Sequence, residues 1–184
     1  MQFKRIGKHV NISDLARFYN PKEISIGDNV RIDDFCVLSG GKGIDIGDHT
    51  HIAVGTNLYG GGGIKLGRLS GISTGVNIWS QSDDFTGKGL YSPQVPAKYK
   101  PTLKEKLIEF EDIVLIGTGV TILPGVTIGM GVSVGAHSLI THDLEPWYLY
   151  AGNPIRKIMK KDKNFMLDLF NQFLEEYDRG GEHI

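Results

Sequence analysis

The stretch from Val114 to Gly129 reads VLIGTGVTILPGVTIG. An isoleucine recurs at every sixth position, and a branched residue follows four positions after each isoleucine. Six is not a multiple of the 3.6 residues in an α-helical turn, so an apolar face would drift around a helix. Glycine and β-branched residues are also poor helix formers. The spacing instead predicts a coil of three short strands, with the isoleucine inside and the second branched residue at the corner.

The same pattern begins near the N-terminus, where it repeats every twenty residues. Three apolar columns result: Ile6, Ile26, Ile46 and Leu66; Ile12, Ile32, Ile52 and Ile72; Phe18, Leu38, Leu58 and Ile78. The extra residues at the third corner are turn formers such as Asn20-Pro21 and Gly40-Gly41. Six-residue spacing resumes at Phe110. The sequence therefore predicts an all-β chain, a parallel β-helix of about six coils, each stacked about 4.8 Å on the last.

Composition narrows the classes of function. With 20 basic and 21 acidic residues the net charge is −1, which gives no reason to expect a nucleic-acid or membrane partner. We expect neither a membrane span nor a secretory leader, because no apolar stretch approaches about 20 residues. The single cysteine, Cys36, precludes an internal disulfide and fits a reducing compartment, so we expect a cytoplasmic protein.

An extended loop and a tail depart from the repeat. The loop covers residues 79–109, and because the repeat resumes in register after it, we expect a functional loop rather than a misassigned one. The coils define a predicted β-helix domain, 1–154, and a segment 155–184 that holds a basic cluster and a C-terminal α-helix. The predicted apolar face of that helix consists of Phe165, Leu169, Phe173 and Tyr177.

The hexads resemble those of the hexapeptide-repeat acyltransferases, from Ile6 to about Ile158. The resemblance is sharpest in the quoted stretch and continues through Val134-Gly-Ala136 to Ala151-Gly-Asn-Pro154. That last segment is similar to the galactoside and xenobiotic acetyltransferases, where it lines the CoA site. The resemblance implies a left-handed coil, acetyl-CoA as co-substrate without a metal, and a homotrimer. In such a trimer the extended loop reaches the active site of a neighbouring subunit.

The resemblance also implies the residues that hold acetyl-CoA. They are Gly117, Gly135, Ala136, Thr141, His142, Asn153, Pro154, Arg156, Lys157 and Lys160. Backbone amides of the first three are candidate donors to the oxyanion of acyl transfer. The basic residues suit the CoA phosphates, although a solvated helix start remains an alternative for them.

The acid–base chemistry departs from the family pattern. The galactoside-type enzymes carry a catalytic histidine at the start of the extended loop, whereas this loop begins IWSQSDDF at residues 78–85. Asp83 stands about where that histidine is expected, with Asp84 beside it. An amine near neutrality needs orientation and a proton acceptor, whereas an alcohol benefits from a strong base. This favours N-acetylation of a nucleotide-linked amino sugar for surface polysaccharide over O-acetylation. A solvated turn beside Gly87 is the alternative for the two aspartates.

The other candidate bases are His49 and His51, which strand alternation places on the outer face. The candidate substrate-binding residues are Trp79, Gln81, Ser82, Phe85 and Tyr91. Two alternative interpretations of the function remain open. His137 and His142 have the His-x4-His spacing of the γ-class carbonic anhydrases, whose chemistry depends on a metal. A non-catalytic trimeric scaffold is also compatible with the repeat.

Overall fold

Three short strands per turn build the molecule. The computed structural model describes residues 2–178, Asp178 by its backbone alone; Met1 and residues 179–184, the end of the predicted tail segment, lie outside the described residues. Coils one to four comprise β1 (Arg5–Ile6), β2 (Asn11–Ile12), β3 (Arg17–Tyr19); β4 (Ile24–Ile26), β5 (Arg31–Ile32), β6 (Val37–Ser39); β7 (Ile44–Ile46), β8 (His51–Ile52), β9 (Asn57–Tyr59); β10 (Ile64–Leu66), β11 (Gly71–Ile72), β12 (Asn77–Trp79). A 3-10 turn at Pro21–Glu23 closes the first coil.

The extended loop follows, and then the coils resume. The loop contains β13 (Gln81–Ser82), a 3-10 turn (Ala97–Tyr99) and β14 (Lys104–Glu105). Coils five and six are β15 (Ile108–Phe110), β16 (Leu115–Ile116), β17 (Thr121–Ile122); β18 (Thr127–Ile128), β19 (Ser133–Val134), β20 (Leu139–Ile140). A partial seventh coil contains β21 (Tyr148–Ala151), against which β22 (Arg156–Lys160) runs antiparallel before helix α1 (Lys163–Asp178).

Equivalent strands of successive coils pair in parallel and form three sheets. Their register follows the twenty-residue repeat, so Ile26 pairs with Ile46 and Ile32 with Ile52. Pairing also continues across the loop, where β10, β11 and β12 lie against β15, β16 and β17. The prediction of a parallel β-helix with one extended loop and a C-terminal helix is therefore confirmed, with part of a seventh coil added.

The three predicted columns fill the interior. From the second coil onward their side chains are at most 3 % exposed. The first coil has no coil on its outer side, and its Ile6 is 54 % exposed. Small polar residues fit at buried corners because their hydroxyls donate to nearby carbonyls, as Ser70 does to Gly67 O at 2.8 Å and Ser138 to Gly135 O at 2.7 Å.

The glycines that follow Ile6, Ile26, Ile46 and Leu66 in the first sheet allow one coil to approach the next. A Cβ atom on Gly47 would lie 2.7 Å from the backbone carbon of Gly67. At the same corner, carboxylates accept hydrogen bonds from backbone N–H groups that are not used in the pairing of the strands. Asp48 bonds to Asp28 N at 2.7 Å, and Asp112 bonds to Arg68 N at 2.7 Å. The glycines and carboxylates at this corner therefore determine how each coil stacks on the next.

Helix α1 packs back onto the N-terminal coils. The ring of His49 meets Phe173 and Tyr177 edge-on at 4.8 and 4.5 Å, and the Arg68 guanidinium lies 5.3 Å from the Phe170 ring centre. The predicted face is wrong at its start. Phe165 and Leu169 are 60 % and 47 % exposed, because the helix docks on a narrow corner through Phe170 instead. No helix among the described residues is long and apolar enough to cross a membrane.

Candidate active site

Ser80 anchors the start of the extended loop to the coil beneath it. Its side chain is fully buried; its hydroxyl donates to Tyr59 O at 2.8 Å and accepts Gly62 N–H at 2.9 Å. Strands β13 and β14 then pair antiparallel, Gln81 opposite Glu105, and bring the two ends of the loop together. The loop base is therefore held at a defined position on the prism.

A cleft of about 200 Å³ lies between this loop base and the outer surface of β9 and β12. Its lining residues are Tyr59, Trp79, Gln81, Ser82, Asp83, Pro93 and Lys100. Four of these belong to the predicted site. The other three, Tyr59, Pro93 and Lys100, did not emerge from the sequence.

The wall of the cleft is an aromatic pair. The rings of Tyr59 and Trp79 stack with centres 4.2 Å apart and planes within 1° of parallel. Trp79 is 37 % exposed, so the pair offers a flat apolar surface to a ligand. The repeat itself contained the signal for Tyr59, because it precedes Trp79 by twenty residues and the two pair across coils.

Asp83 projects into the cleft from a fixed position. Its Oδ2 accepts Ser92 N–H at 3.0 Å, and its Oδ1 lies 3.7 Å from Lys100 Nζ. Lys100 is only 9 % exposed and donates to Ser92 O at 3.1 Å, whereas Asp83 is 31 % exposed. One carboxylate oxygen therefore faces a solvent-accessible space beside a cation. It can receive an ammonium group or accept a proton from an attacking amine.

Asp84 has a different environment from Asp83. Its carboxylate accepts Thr86 Oγ1 at 2.7 Å, Thr86 N–H at 3.0 Å and Lys88 N–H at 2.6 Å. The hydroxyl and amide of Thr86, followed by the Lys88 amide, lower the pKa of Asp84 to about 2. These bonds close the turn at Gly87, which has a φ of 78°. The geometry favours the solvated-turn interpretation for this aspartate.

Phe85 and Tyr91, which the sequence analysis assigned to substrate, lie outside the cleft. They are 94 % and 70 % exposed, farther along the same loop. A role in substrate binding would need a second surface opposite the loop, and their assignment stays a prediction.

The two candidate histidines are absent from the residues that line the cleft. His51 lies on the outer face of β8, where its Nε2 is 2.8 Å from Asp33 Oδ2, and Arg31 Nε donates to Asp33 Oδ1 at 2.6 Å. Burial raises the pKa of Asp33, but the hydrogen bonds from His51 and Arg31 outweigh it, and the net pKa is lowered. His49 is covered by helix α1.

Two of the three proposed oxyanion donors are already used within the fold. Gly117 N–H donates to Val134 O at 2.8 Å, and Gly135 N–H donates to Tyr150 O at 2.8 Å. As oxyanion donors these two were wrong, because the ladder between coils consumes their amides. Ala136 is exposed at the next position, and among the described residues no backbone hydrogen bond from its amide is present.

The remaining predicted CoA residues cluster around the last coil. Gly152 N–H donates to Ser138 Oγ at 2.9 Å, and the Asn153-Pro154 peptide is cis. Thr141 Oγ1 is 3.3 Å from His142 Nδ1.

The basic cluster does not start the helix as the alternative supposed. Arg156, Lys157 and Lys160 are exposed along β22, and the helix begins only at Lys163. Lys157 Nζ lies 2.7 Å from Glu145 Oε2, which raises the pKa of Lys157. Lys161 belongs to the prism: it donates to Gly131 O at 2.8 Å, and burial lowers its pKa. Three exposed cations thus remain together on one strand.

Within residues 2–178 no group of three or more His, Cys, Asp or Glu side chains is arranged to hold a metal ion.

Comparison with known proteins defines the class. The family described as "Bacterial transferase hexapeptide (six repeats)" matches residues 109–142. A solved N-acyltransferase shares 43% sequence identity with this chain, over 95% of this chain and 92% of its own. The chain belongs to the hexapeptide-repeat acyltransferases.

That solved relative is AntD from Bacillus cereus. A variant of it in complex with dTDP-4-amino-4,6-dideoxyglucose and coenzyme A superposes with a TM-score of 0.89. AntD in complex with dTDP and 3-hydroxybutyryl-CoA superposes with 0.90, over 96% of this chain and 92% of that one. A maltose O-acetyltransferase from Clostridium difficile 630 is more distant, with 25% identity over 88% of this chain and 71% of its own and a TM-score of 0.56.

Curated relatives match over shorter stretches. A probable macrolide acetyltransferase from Lysinibacillus sphaericus is 33% identical over 91 residues, which are 47% of this chain and 50% of the relative. A chloramphenicol acetyltransferase from Klebsiella aerogenes is 44% identical over 48 residues, 26% of this chain and 23% of the relative. The matched part is therefore half or less of these curated relatives.

Proposed function

We propose that this protein transfers an acyl group from acyl-CoA to the amino group of a nucleotide-linked amino sugar. The observation that carries the proposal is the cleft, in which Asp83 is the carboxylate beside an exposed aromatic wall and no histidine is among the lining residues. AntD, which is similar over nearly its whole length, is an N-acyltransferase seen with a dTDP-linked amino sugar and coenzyme A.

The reaction needs little from the protein beyond orientation and a proton acceptor. The neutral amine attacks the thioester carbonyl carbon, a C–N bond forms, and the oxyanion collapses with cleavage of the C–S bond. The nitrogen loses a proton and the departing CoA thiolate gains one. In this proposal Asp83 Oδ1 takes the proton first, and the hydrogen bond from Ser92 N–H to Oδ2 supports that role because it orients the carboxylate. Ala136 N–H is a candidate donor to the oxyanion.

An O-acyltransferase is the second candidate, and the cleft favours it less. A sugar hydroxyl has a pKa far above neutrality and gains most from a strong base. His51, whose Nε2 lies 2.8 Å from Asp33 Oδ2, is on another face of the prism from the cleft. It could serve a site that a neighbouring subunit completes.

The proposal also includes an oligomeric state, a position for CoA and a cellular location. We infer a homotrimer in which the extended loop reaches a neighbour, and the 94 % exposure of Phe85 supports this because nothing among the described residues of its own chain covers it. CoA would lie along the last coils, with its phosphates near Arg156, Lys157 and Lys160 and its pantetheine near Thr141, His142 and the Gly152-Asn-Pro154 segment. A cytoplasmic role in supplying sugars for surface polysaccharide fits this substrate class.

The experiment that tests the function follows free thiol release. Acetyl-CoA and 3-hydroxybutyryl-CoA are offered with dTDP-4-amino-4,6-dideoxyglucose and, as the matched acceptor, dTDP-6-deoxyglucose. We expect turnover with the amino sugar alone. Turnover with the hydroxyl sugar at a comparable rate would contradict N-acylation, and His51→Ala would then be the variant to measure.

A variant pair tests the role of Asp83. Asp83→Asn keeps the bond from Ser92 N–H but removes the proton acceptor, so kcat should fall by about 100-fold. Asp45→Asn, on the outer face of β7, is the matched control and should retain full kcat. An Asp83→Asn enzyme within threefold of the wild type would remove Asp83 from the mechanism.

A further inference from the structure

The outer surface of the third sheet carries a ladder of aromatic rings with one rung missing. Tyr19, Ser39, Tyr59 and Trp79 occupy the same outward position in four successive coils, each paired with the next. Tyr59 and Trp79 stack face to face. Ser39, between Tyr19 and Tyr59, has a side chain too small to fill its place. A gap therefore lies between two aromatic side chains.

The gap has the thickness of one planar ring. Coils are spaced about 4.8 Å apart, so the positions of Tyr19 and Tyr59 are about 9.6 Å apart. A ring held above Ser39 would lie about 4.8 Å from each of them, within the 4.5–7 Å range of aromatic pairs. Tyr19 is 55 % exposed, and Ser39 and Tyr59 are only half-buried, so the gap is accessible from solvent.

We propose that the gap at Ser39 binds the nucleobase of the acceptor nucleotide, stacked between Tyr19 and Tyr59. This inference rests on the proposed function, which supplies a nucleotide-linked substrate. The ladder continues from the gap through Tyr59 to Trp79 and the cleft at Asp83. A nucleoside diphosphate sugar has its base at one end and its sugar at the other. The same column can therefore hold the base at Ser39 and deliver the amine to Asp83, with ribose and diphosphate between them.

The adenine of CoA is also a planar base, but the residues predicted to bind CoA lie in another part of the fold. Those residues, 117–160, lie in coils five to seven, on the far side of Trp79 from the gap. Stacking on aromatic side chains tolerates any base, so the gap sets where a base sits and leaves its identity to other contacts.

The test fills the gap and then removes one of its walls. Ser39→Phe places a ring in the missing rung, and Tyr19→Ala removes the outer wall. Isothermal titration with dTDP should show affinity at least about fivefold weaker in both variants, the low end of what one base-stacking contact contributes. Ser39→Ala keeps the gap open and should bind dTDP as the wild type does. Ser39 and Tyr19 are both on the outer face, so the melting temperatures of all three variants should stay near the wild-type value.

The outcomes of the experiment distinguish failure of the base site from failure of the proposed function. Wild-type affinity for dTDP in both Ser39→Phe and Tyr19→Ala, with acyl transfer retained, overturns the base site and leaves the proposed function standing. Weaker binding of CoA with unchanged binding of dTDP also overturns it, because the gap would then serve the other nucleotide. A wild-type protein that fails to bind dTDP contradicts the nucleotide-linked acceptor, and the base site falls with it.

Discussion

Lys100 ties together the extended loop that forms one side of the cleft, so replacing it should loosen that loop and spare the prism. Its Nζ donates to Ser92 O at 3.1 Å and lies 3.7 Å from Asp83 Oδ1, and its side chain is only 9 % exposed. A hydrogen bond from a charged donor contributes about 1.5–3 kcal/mol. The longer ion pair to the more exposed Asp83 adds less than about 1 kcal/mol. We therefore expect Lys100→Met to cost about 2 kcal/mol of local stability.

Amide hydrogen exchange measures that loss directly, because protection of a loop reports its local opening. A change of about 2 kcal/mol corresponds to roughly 30-fold faster exchange. The informative amides are Leu90, bonded to Tyr99 O at 2.9 Å, and Ser92, bonded to Asp83. Amides of the interior strands should exchange at their wild-type rates.

Lys98→Met is the matched control, since it removes a neighbouring cation whose Nζ lies 4.9 Å from the centre of the Tyr99 ring. An exposed contact of that kind contributes about 0.5–1 kcal/mol, so exchange should rise less than about fivefold. Loop exchange in Lys100→Met within threefold of the wild type would refute the argument. So would an equal acceleration by the Lys98 variant.

Two further predictions concern stability. Phe110 is fully buried, so Phe110→Ala should lower the free energy of unfolding by about 3–5 kcal/mol in denaturant titrations, with Phe110→Leu costing much less; equal costs would contradict the packing. The pKa of Asp33 is lowered in the folded chain, so its carboxylate stabilises the fold fully at pH values above its usual pKa of 3.8, and this stabilisation is lost as the pH falls through its folded pKa. Asp33→Asn should therefore be less stable than the wild type at pH 7, and this difference should shrink in melting curves below pH 3.8. If the stability difference between Asp33→Asn and the wild type instead grows as the pH falls, the predicted direction of the effect is wrong.

The interior was predictable because the chain repeats. The fixed period determines which residues lie above and below each interior position. Because each such position therefore has one possible environment, the sequence predicts the burial of Ile52 and Ile116 correctly. The same period also encoded the Tyr59–Trp79 stack on the outer face. The apolar columns that predict the core contain only inward-facing residues, so this outward-facing stack does not appear in them.

The loop has no period, so its contacts could not be read in advance. Trp79, Gln81, Ser82 and Asp83 were found because they lie where the repeat breaks. Lys100 enters the cleft from the far end of the loop, and only a folded chain shows that approach.

Two errors have simple physical causes. The amides of Gly117 and Gly135 follow short parallel strands, and such strands use alternate N–H groups in the ladder between coils. For helix α1, the sequence contains two overlapping apolar stripes. The corner on which the helix docks selected Phe170 and not Leu169, and that corner is formed by residues more than a hundred positions earlier.

The most direct test of the central claim is a crystal structure of this protein with dTDP-4-amino-4,6-dideoxyglucose and coenzyme A. The account predicts the sugar nitrogen within about 3.2 Å of Asp83 Oδ1, with the sugar against the Trp79 ring. An amino sugar bound away from the cleft, with its nitrogen beside His51 or another base, would contradict it.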